Sequence, residues 1–400
     1  MRICLVSTTY PPRTGGLETH IATLAHALAE HGNTVTVLTN RDSTNQPERA
    51  DDHGVTVLRT SALLQPRTSD EHIPWESALF GLLTDVELLL GKEEFDIIHT
   101  HTQAALLLAA LAGLPTHTPV VASFHETEPE QEPLGPERSR FILWHAGAEL
   151  LLTGSHAFAA QAARLGADPR SIRTVHHGLP DPGTPDQDRG TARARLRDLA
   201  GIPTDGALIT LIGRFKERKG QRRLLDAYLR MQSRDHARLL LLGSCNSADL
   251  RYLIDLHTYV RENGLEERVT ILRDVPHQAR DLAWAATDIA TQPSTREGLG
   301  LAAIEAMLAA VPVVATDTEG LREVLTPDTG LLINTHDPDT YAAALDNLVA
   351  DPLRSAALGA AGRTRALERF SLDRAVRRTL GVYREARHLH AAARTGGVLV

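Results

Sequence analysis

Two carboxylates lie eight residues apart in the stretch STREGLGLAAIEAM, residues 294 to 307. Glu297 stands beside Gly298, whereas Glu305 falls within an apolar helical run. At about 100° per residue, a continuous helix would leave the two side chains roughly 80° apart, so both face one cleft only if Glu297 lies in the loop before the helix. Carboxylates accept hydrogen bonds from hydroxyl groups, and helix N-termini bind anions. The stretch predicts a ligand site at the start of this helix.

A cluster of basic residues occupies a second loop, LIGRFKERKG, where a predicted strand ends and a helix begins. The spacing of Arg214 and Lys219 allows the loop to turn both cations towards one diphosphate. A solvated surface loop is the alternative interpretation. The Walker pattern is absent from this loop, which disfavours an ATP-type phosphate loop.

The loop after the first predicted strand, STTYPPRTGGLETH, also opens a helix. Gly15 and Gly16 allow close approach of a ligand to the backbone, and the helix start favours an anion. A simple tight turn is the alternative. The loop lacks the full G-x-G-x-x-G fingerprint, which disfavours a nicotinamide dinucleotide.

Composition restricts the class of protein. The chain has 400 residues, which predicts two or three domains, and 42% are hydrophobic, enough for a core in each. Residues 1–180 contain 12 basic and 21 acidic side chains, whereas the remainder contain 30 and 29. The acidic first part disfavours nucleic acid, anionic lipid and heavily phosphorylated molecules as partners on that side. Two distant cysteines and the lack of a long apolar run predict a cytoplasmic protein without disulfides or membrane insertion.

Apolar strands alternate with helical patterns along the whole chain, which predicts parallel sheets covered by helices. The cluster DPGTPDQDRG interrupts the alternation and predicts a linker. We therefore predict an α/β protein with two doubly wound, Rossmann-like domains facing a central cleft, where ligands of open α/β sheets bind. The predicted boundaries are 1–180, 181–190 for the linker, 191–370, and 371–400 for a C-terminal helix that returns to the first domain. Its arginines predict a solvated face.

Several motifs occur in a recognisable order along the chain: the TGG loop, the strand ends DIIHTH and VVASFHE, the GR…KG loop, EGLGLAAIEAM, VPVVATDTEGLREVL and GLLI. From residue 3 to about 370, the chain resembles the family-four retaining glycosyltransferases of the GT-B fold. The resemblance implies catalytic roles for His125, Glu297, Arg214 and Lys219. It implies that Arg214 and Lys219 bind the donor diphosphate, Glu297 the transferred sugar and Glu305 the ribose. Further donor contacts are expected from Gly16, Val275, Gly298, Leu299, Gly300 and Leu301.

The resemblance also implies a UDP-linked sugar as co-substrate, no other cofactor, no metal and retention of anomeric configuration. The acidic pair Asp337 and Asp339 is predicted to cap a helix rather than to hold a metal. Two positions depart from the family, which usually has glycine where this chain has Asp274 and Ala310. The first lies where such enzymes seat the nucleobase, so the base stays open; the second changes a turn.

The acceptor is predicted from charge. Five glutamates follow His125 within residues 126–137 and would attract a cationic aminocyclitol or aminosugar. The sequence thus predicts a small polar acceptor and the antibiotic-biosynthesis branch of the family. Acceptor contacts are expected from Gly15, Glu126, Glu128 and His101, whereas His99, His176 and His177 are interpreted as structural. Inositol phosphate, lipid or polysaccharide acceptors, a sugar-nucleotide epimerase of the same fold and a non-catalytic sugar-nucleotide binder remain alternatives, and a homodimer stays open.

Overall fold

The computed structural model describes residues 1–13, 16–41, 43, 45–60, 94–102, 105–107, 117–125, 135–145, 147–183, 189–202, 205–245, 249–275, 277–334 and 337–396. The chain divides into two compact units. The first comprises Met1–Gly178 and Leu372–Val400, and the second comprises Leu179–Ser371. Each unit is built on one largely parallel sheet.

The first unit contains eight strands: β1 (Arg2–Val6), β2 (Thr34–Asn40), β3 (Arg49–Asp52), β4 (Val55–Thr60), β5 (Ile97–Thr100), β6 (Val120–Phe124), β7 (Leu150–Thr153) and β8 (Ile172–Thr174). Its described helices include α1 (Gly16–Glu30), α2 (Gly135–His145) and α3 (His156–Arg164). The helix that ends the chain, Leu372–Gly396, also belongs to this unit.

The strands of the first sheet follow the order β3-β4-β2-β1-β5-β6-β7-β8. All pair in parallel except β3, which pairs with β4 in antiparallel register. The sequence predicted only parallel strands here. His53 and Gly54 join β3 to β4 with φ values of 53° and 83°, and two consecutive positive φ angles are what a tight hairpin of the I′ type requires. The short, charged β3 therefore ends the sheet as an antiparallel edge.

Helix α1 and the C-terminal helix cover the same core of the first unit. Apolar side chains of both helices, including Ile21, Leu28, Val376 and Tyr383, are buried in one cluster with the central strands. The buried hydroxyl of Tyr383 lies 2.7 Å from Nδ1 of His99 on β5. A polar contact therefore fixes the C-terminal helix on the sheet inside an otherwise apolar layer.

The second unit contains six strands: β9 (Ala207–Ile212), β10 (Ala237–Gly243), β11 (Val269–Arg273), β12 (Ile289–Gln292), β13 (Val313–Thr316) and β14 (Gly330–Ile333). Its helices are α4 (Arg189–Ala200), α5 (Gln221–Tyr228), α6 (Leu250–Glu262), α7 (His277–Ala286), α8 (Leu301–Leu308), α9 (Glu319–Val324), α10 (Pro338–Ala350) and α11 (Pro352–Phe370). The C-terminal helix of the first unit is then α12.

The strands of the second sheet follow the order β11-β10-β9-β12-β13-β14, and all of them pair in parallel. In chain order this is 3-2-1-4-5-6, the order of a doubly wound nucleotide-binding sheet. The four central strands β10, β9, β12 and β13 consist largely of buried residues. This suits their position, because strands covered by helices on both faces need apolar side chains on both faces. The predicted α/β fold class is confirmed.

Two of the non-glycine residues in this unit adopt the left-handed backbone conformation. They are Asp274, with φ of 55°, and Ala310, with φ of 56°. These are the two positions at which the family resemblance leads one to expect glycine. A side chain in this conformation costs roughly 1–2 kcal/mol relative to glycine. Both turns therefore carry a residue in a backbone conformation that favours glycine.

The exposed surface agrees with several expectations. Arg377, Arg378, Arg384 and Arg387 are exposed on α12, as a solvated face predicts. Cys4 is buried on β1, and Cys245 is partly buried after β10. Within the described ranges, no helix combines the length and the apolar character needed to cross a bilayer.

Candidate functional site

The two predicted ligand loops follow neighbouring strands of the second sheet. β9 lies between β10 and β12, so the chain turns to one side after β9 and to the other after β12. This reversal opens a crevice at the carboxyl ends of the strands, which is where open α/β sheets bind their ligands. The basic turn follows β9 directly, and the stretch with Glu297 follows β12.

An ion pair joins the two loops. Nζ of Lys219 lies 2.6 Å from Oε1 of Glu297, and the hydroxyl of Ser294 donates to the same oxygen at 2.7 Å. The side chains of Lys219 and Glu297 are only 16% and 7% exposed. The sequence predicted that Lys219 and Glu297 bind the same ligand, and the structure brings the two side chains into direct contact.

Glu297 is charged at neutral pH despite its burial. Burial alone would raise the pKa of its carboxyl, but the charge of Lys219 and the hydrogen bonds from Lys219 and Ser294 outweigh this, and the pKa lies below its ordinary value. An ionised carboxylate next to an ammonium group can accept hydrogen bonds from a sugar while the cation remains available to an anion.

Backbone contacts hold the same two loops together. The amide of Thr295 donates to the carbonyl oxygen of Arg218 at 2.9 Å. Gly220 ends the basic turn with φ of 76°, and a Cβ atom placed there would lie 2.1 Å from the carbonyl oxygen of Pro293. Only glycine allows this approach, so Gly220 sets the distance between the cation and the carboxylate.

Replacing Gly220 by alanine is expected to destabilise the protein by at least about 2 kcal/mol, because the new Cβ meets a backbone oxygen and the left-handed φ disfavours a side chain. The free energy of unfolding in urea measures this change. Gly264→Ala is the matched control, since Gly264 has φ of 64° and open space around a Cβ. It should cost only about 1 kcal/mol; equal losses in the two variants would contradict the packing argument.

The start of α8 offers backbone groups to the same site. Gly300, its N-cap residue, has φ of 94° and makes no side-chain cap hydrogen bond. Gly320 packs close to the loop before it, because a Cβ on Gly320 would lie 2.4 Å from the carbonyl oxygen of Glu297. An uncapped helix start favours a bound anion.

Glu305 lies on α8 and is bound by side chains from α7. The guanidinium of Arg280 donates to its Oε1, and Nε1 of Trp284 donates to its Oε2 at 3.1 Å. The side chain of Glu305 is 22% exposed. Both oxygens of this carboxylate therefore have a donor, and its orientation is fixed before any ligand binds.

Two more residues that the sequence predicts to contact the donor, Arg214 and Val275, also belong to the second unit. Arg214 is exposed at the end of β9, and within the described ranges it makes no ion pair. Val275 follows β11 and is partly buried in the cluster that packs around α8. Asp337 accepts a hydrogen bond from the amide of Thr340 at 2.9 Å as the N-cap of α10, which confirms the predicted capping role.

A cluster of histidines forms in the first unit at the carboxyl ends of its strands. His99 lies on β5, His101 and His125 directly follow β5 and β6, His177 follows β8, and His20 lies on α1. Ring centroids are 4.0 Å apart for His99 and His101, 5.7 Å for His101 and His125, and 5.3 Å for His125 and His177. His20 lies 3.9 Å from His177 and 5.7 Å from His125.

These imidazoles are neutral at neutral pH. Burial lowers the pKa of His20 and of His99 to about 3. Burial, followed by the influence of neighbouring histidines, also lowers the pKa of His101, His125 and His177 well below the ordinary value. Since protonating one ring would place a charge inside the cluster, each ring is kept as a neutral donor and acceptor.

Several of these residues escaped the sequence interpretation. Ser294, Arg280, Trp284 and His20 were not singled out, and His177 was interpreted as structural. The spacing of Arg280 and Trp284, four residues apart on one helix, was a signal that both face the same neighbour. Gly16 begins α1 and is exposed, whereas Gly15, Glu126 and Glu128 lie outside the described residues.

Comparison with known proteins agrees with this architecture. The family described as Glycosyltransferase Family 4 matches residues 14–181, and the family described as Glycosyl transferases group 1 matches residues 193–365. D-inositol 3-phosphate glycosyltransferase of Kineococcus radiotolerans is 31% identical to this chain, and the alignment covers 95% of this chain and 92% of that enzyme. The enzyme of the same name from Xylanimonas cellulosilytica is 31% identical over 93% and 92%.

Solved structures match over nearly the full length. Sucrose-phosphate synthase of Thermosynechococcus elongatus has a TM-score of 0.82 at 22% identity, with 96% of this chain and 99% of the other covered. Anabaena HepE, solved in complex with UDP and glucose, has a TM-score of 0.77 at 22% identity, over 96% and 99%. The fold is therefore GT-B, a class built from two Rossmann-like units.

The sequence matches decide the family. At 31% identity over more than nine-tenths of both chains, the protein belongs to the family-four, group 1 glycosyltransferases. It is an enzyme that transfers a sugar from a nucleotide sugar.

Proposed function

We propose that the enzyme transfers a hexose or N-acetylhexosamine from a UDP-linked donor to a hydroxyl of a phosphorylated cyclitol, with retention of configuration and without a metal ion. The observation that carries the donor half is the contact between Lys219 and Glu297 at the switch point of the second sheet. The acceptor half rests on relatives named D-inositol 3-phosphate glycosyltransferases. Their names favour this acceptor over the aminocyclitol predicted from charge.

In the proposed reaction, Lys219 and Arg214 stabilise the negative charge that develops on the leaving diphosphate. The uncapped start of α8 adds amide groups and the positive end of the helix dipole. These groups supply the charge stabilisation that a divalent cation supplies in other transferases. Glu305, held by Arg280 and Trp284, is proposed to accept hydrogen bonds from the ribose hydroxyls.

Glu297 is proposed to orient the sugar rather than to attack it. Its carboxylate is already bound by Lys219 and Ser294, which lowers its nucleophilicity. The bond between the anomeric carbon and the phosphate oxygen breaks, the acceptor oxygen forms the new bond on the same face, and the leaving phosphate oxygen takes the acceptor proton. The role of His125 beside the sugar stays a prediction from the family resemblance.

A second candidate acceptor is a cationic aminocyclitol. The five glutamates within residues 126–137 favour it, because a dense run of carboxylates attracts ammonium groups and repels a phosphate. The two candidates differ in the sign of the acceptor charge, so one assay separates them.

The test is a panel of nucleotide sugars with inositol phosphate, free inositol, an aminocyclitol or no acceptor. Nucleoside diphosphate release and the anomeric configuration of the product are measured, with and without EDTA. We expect release that depends on UDP-sugar and inositol phosphate, a product of retained configuration and a rate within about twofold in EDTA. Release without acceptor dependence would instead indicate an epimerase or a hydrolytic activity.

A variant with Gln at Glu126, Glu128, Glu130 and Glu132 separates the two acceptors. It should lower or leave unchanged the KM for inositol phosphate, because acidic charge is removed from the chain. A raised KM for an aminocyclitol, with turnover faster than on inositol phosphate, would establish the second candidate in place of the first.

A further inference from the structure

We propose that His20, His101 and His125 form a binding site for a divalent transition-metal ion, best suited to Zn²⁺. One ligand nitrogen from each residue lies within 4.8 Å of those of the other two. In a tetrahedral site with zinc–nitrogen distances of about 2.0–2.1 Å, the nitrogens lie about 3.3 Å apart. Shifts of about 1 Å in side chains at the ends of two strands and on α1 therefore close the site.

The hydrogen-bonding state of the rings supports ligation. Three ring nitrogens of these residues are buried: Nδ1 and Nε2 of His101, and Nε2 of His125. In the part of the chain that the structure describes, none of these three atoms has a hydrogen-bond partner. A buried nitrogen without a partner costs about 1–3 kcal/mol, which a metal–ligand bond would offset. His99, by contrast, is bound by Tyr383 and Ser123 at 2.7 and 2.8 Å and is not available as a ligand.

All three ligands are imidazole rings, which bind a metal ion in their neutral form. Imidazole nitrogens bind Zn²⁺, Cu²⁺, Ni²⁺ and Co²⁺ well, whereas Mg²⁺ and Mn²⁺ favour oxygen ligands. A site of three imidazoles therefore favours the first group of ions.

One of the three ligands, His20, borders a cavity of about 30 Å³ that His177 also lines, and this cavity has room for a water molecule. Three histidines and a water form a common arrangement of zinc ligands. If His125 contacts the donor sugar, as the family resemblance implies, the bound ion would inhibit transfer by occupying its nitrogen. The metal site itself does not rest on the proposed function.

The test uses the full chain, freed of any histidine tag and of metal by a chelator. Co²⁺ is added while visible absorption is recorded, and Zn²⁺ is titrated by calorimetry. We expect one ion per chain, the intense absorption of four-coordinate Co²⁺, and a thermal midpoint about 5 °C higher at a hundredfold excess of Zn²⁺ over its dissociation constant. Mg²⁺ should produce none of these changes.

Two variants test the ligands. His20→Gln and His101→Gln are each expected to weaken Co²⁺ binding at least 100-fold, whereas His257→Gln, an exposed histidine on α6, should bind as the unchanged protein does. Near-ultraviolet circular dichroism checks the fold of each variant, and the Co²⁺ spectrum of the unchanged protein decides the question should both ligand variants fail to fold. A six-coordinate spectrum, no binding, or undiminished binding by folded ligand variants would overturn the proposal and leave the cluster a structural one.

Discussion

Replacing Lys219 by alanine is expected to lower kcat about 10²–10³-fold, the loss found when one preorganised donor to a developing anion is removed. Lys219 is the cation that reaches Glu297 across the switch point of the second sheet. The variant therefore removes charge stabilisation from the leaving group and leaves Glu297 without its counter-ion. Steady-state kinetics with saturating nucleotide sugar measure the effect.

The same variant is expected to lose stability, because Glu297 is 7% exposed and breaking a buried ion pair costs about 3–5 kcal/mol. Protonation of Glu297 limits the loss. The double variant Lys219→Met with Glu297→Gln removes both charges, so it should recover most of the stability but none of the activity. That separation distinguishes a catalytic role from a structural one.

Arg222→Ala is the matched control for Lys219. Arg222 lies on α5 and pairs with Asp226 at 3.2 Å, half-exposed. Its removal should change stability by less than about 1 kcal/mol and leave kcat unchanged. Activity of the Lys219→Ala variant within threefold of the unchanged enzyme would contradict the assignment of the donor site.

Mild acid is expected to destabilise the first unit by at least about 2–3 kcal/mol per pH unit between about pH 6 and pH 4, counting His20 and His99 alone. His20 and His99 have a pKa of about 3 in the folded state, against about 6.5 in the unfolded chain. Their contribution is fully present above pH 6.5. It is lost as the pH falls towards 3, because only the unfolded chain takes up protons there, at about 1.4 kcal/mol per pH unit for each histidine.

Thermal unfolding at pH 7.5, 6.5 and 5.5 measures this effect. This pH range distinguishes the first unit from the second. The carboxyl of Glu297 in the second unit also has a lowered pKa, but its contribution to stability is lost only below the ordinary pKa of a glutamate. His99→Gln should reduce the proton uptake on unfolding by about one. A midpoint that stays constant from pH 7.5 to 5 would contradict the buried, neutral cluster.

The sequence predicted the architecture because its signals are local. Short apolar runs such as residues 3–6 and 208–212 favour strands covered on both faces, and the intervening helices carry one apolar side. The antiparallel β3 was missed, since RADD has neither the apolar content nor the alternation of a strand. It forms because the turn at His53 and Gly54 folds it back onto β4.

The sequence by itself also predicted which loops would hold a donor, because cationic and carboxylate side chains stand beside glycines in GRFKERKG and EGLGLAAIEAM. Only the tertiary structure decided which partners these side chains take. Lys219 and Glu297 meet because β9 and β12 are neighbours. Glu305 accepts hydrogen bonds from Arg280 and Trp284, and five histidines from distant segments converge in one cluster. Strand order and helix contacts depend on residues far apart in the chain, and no local pattern encodes which of them become neighbours.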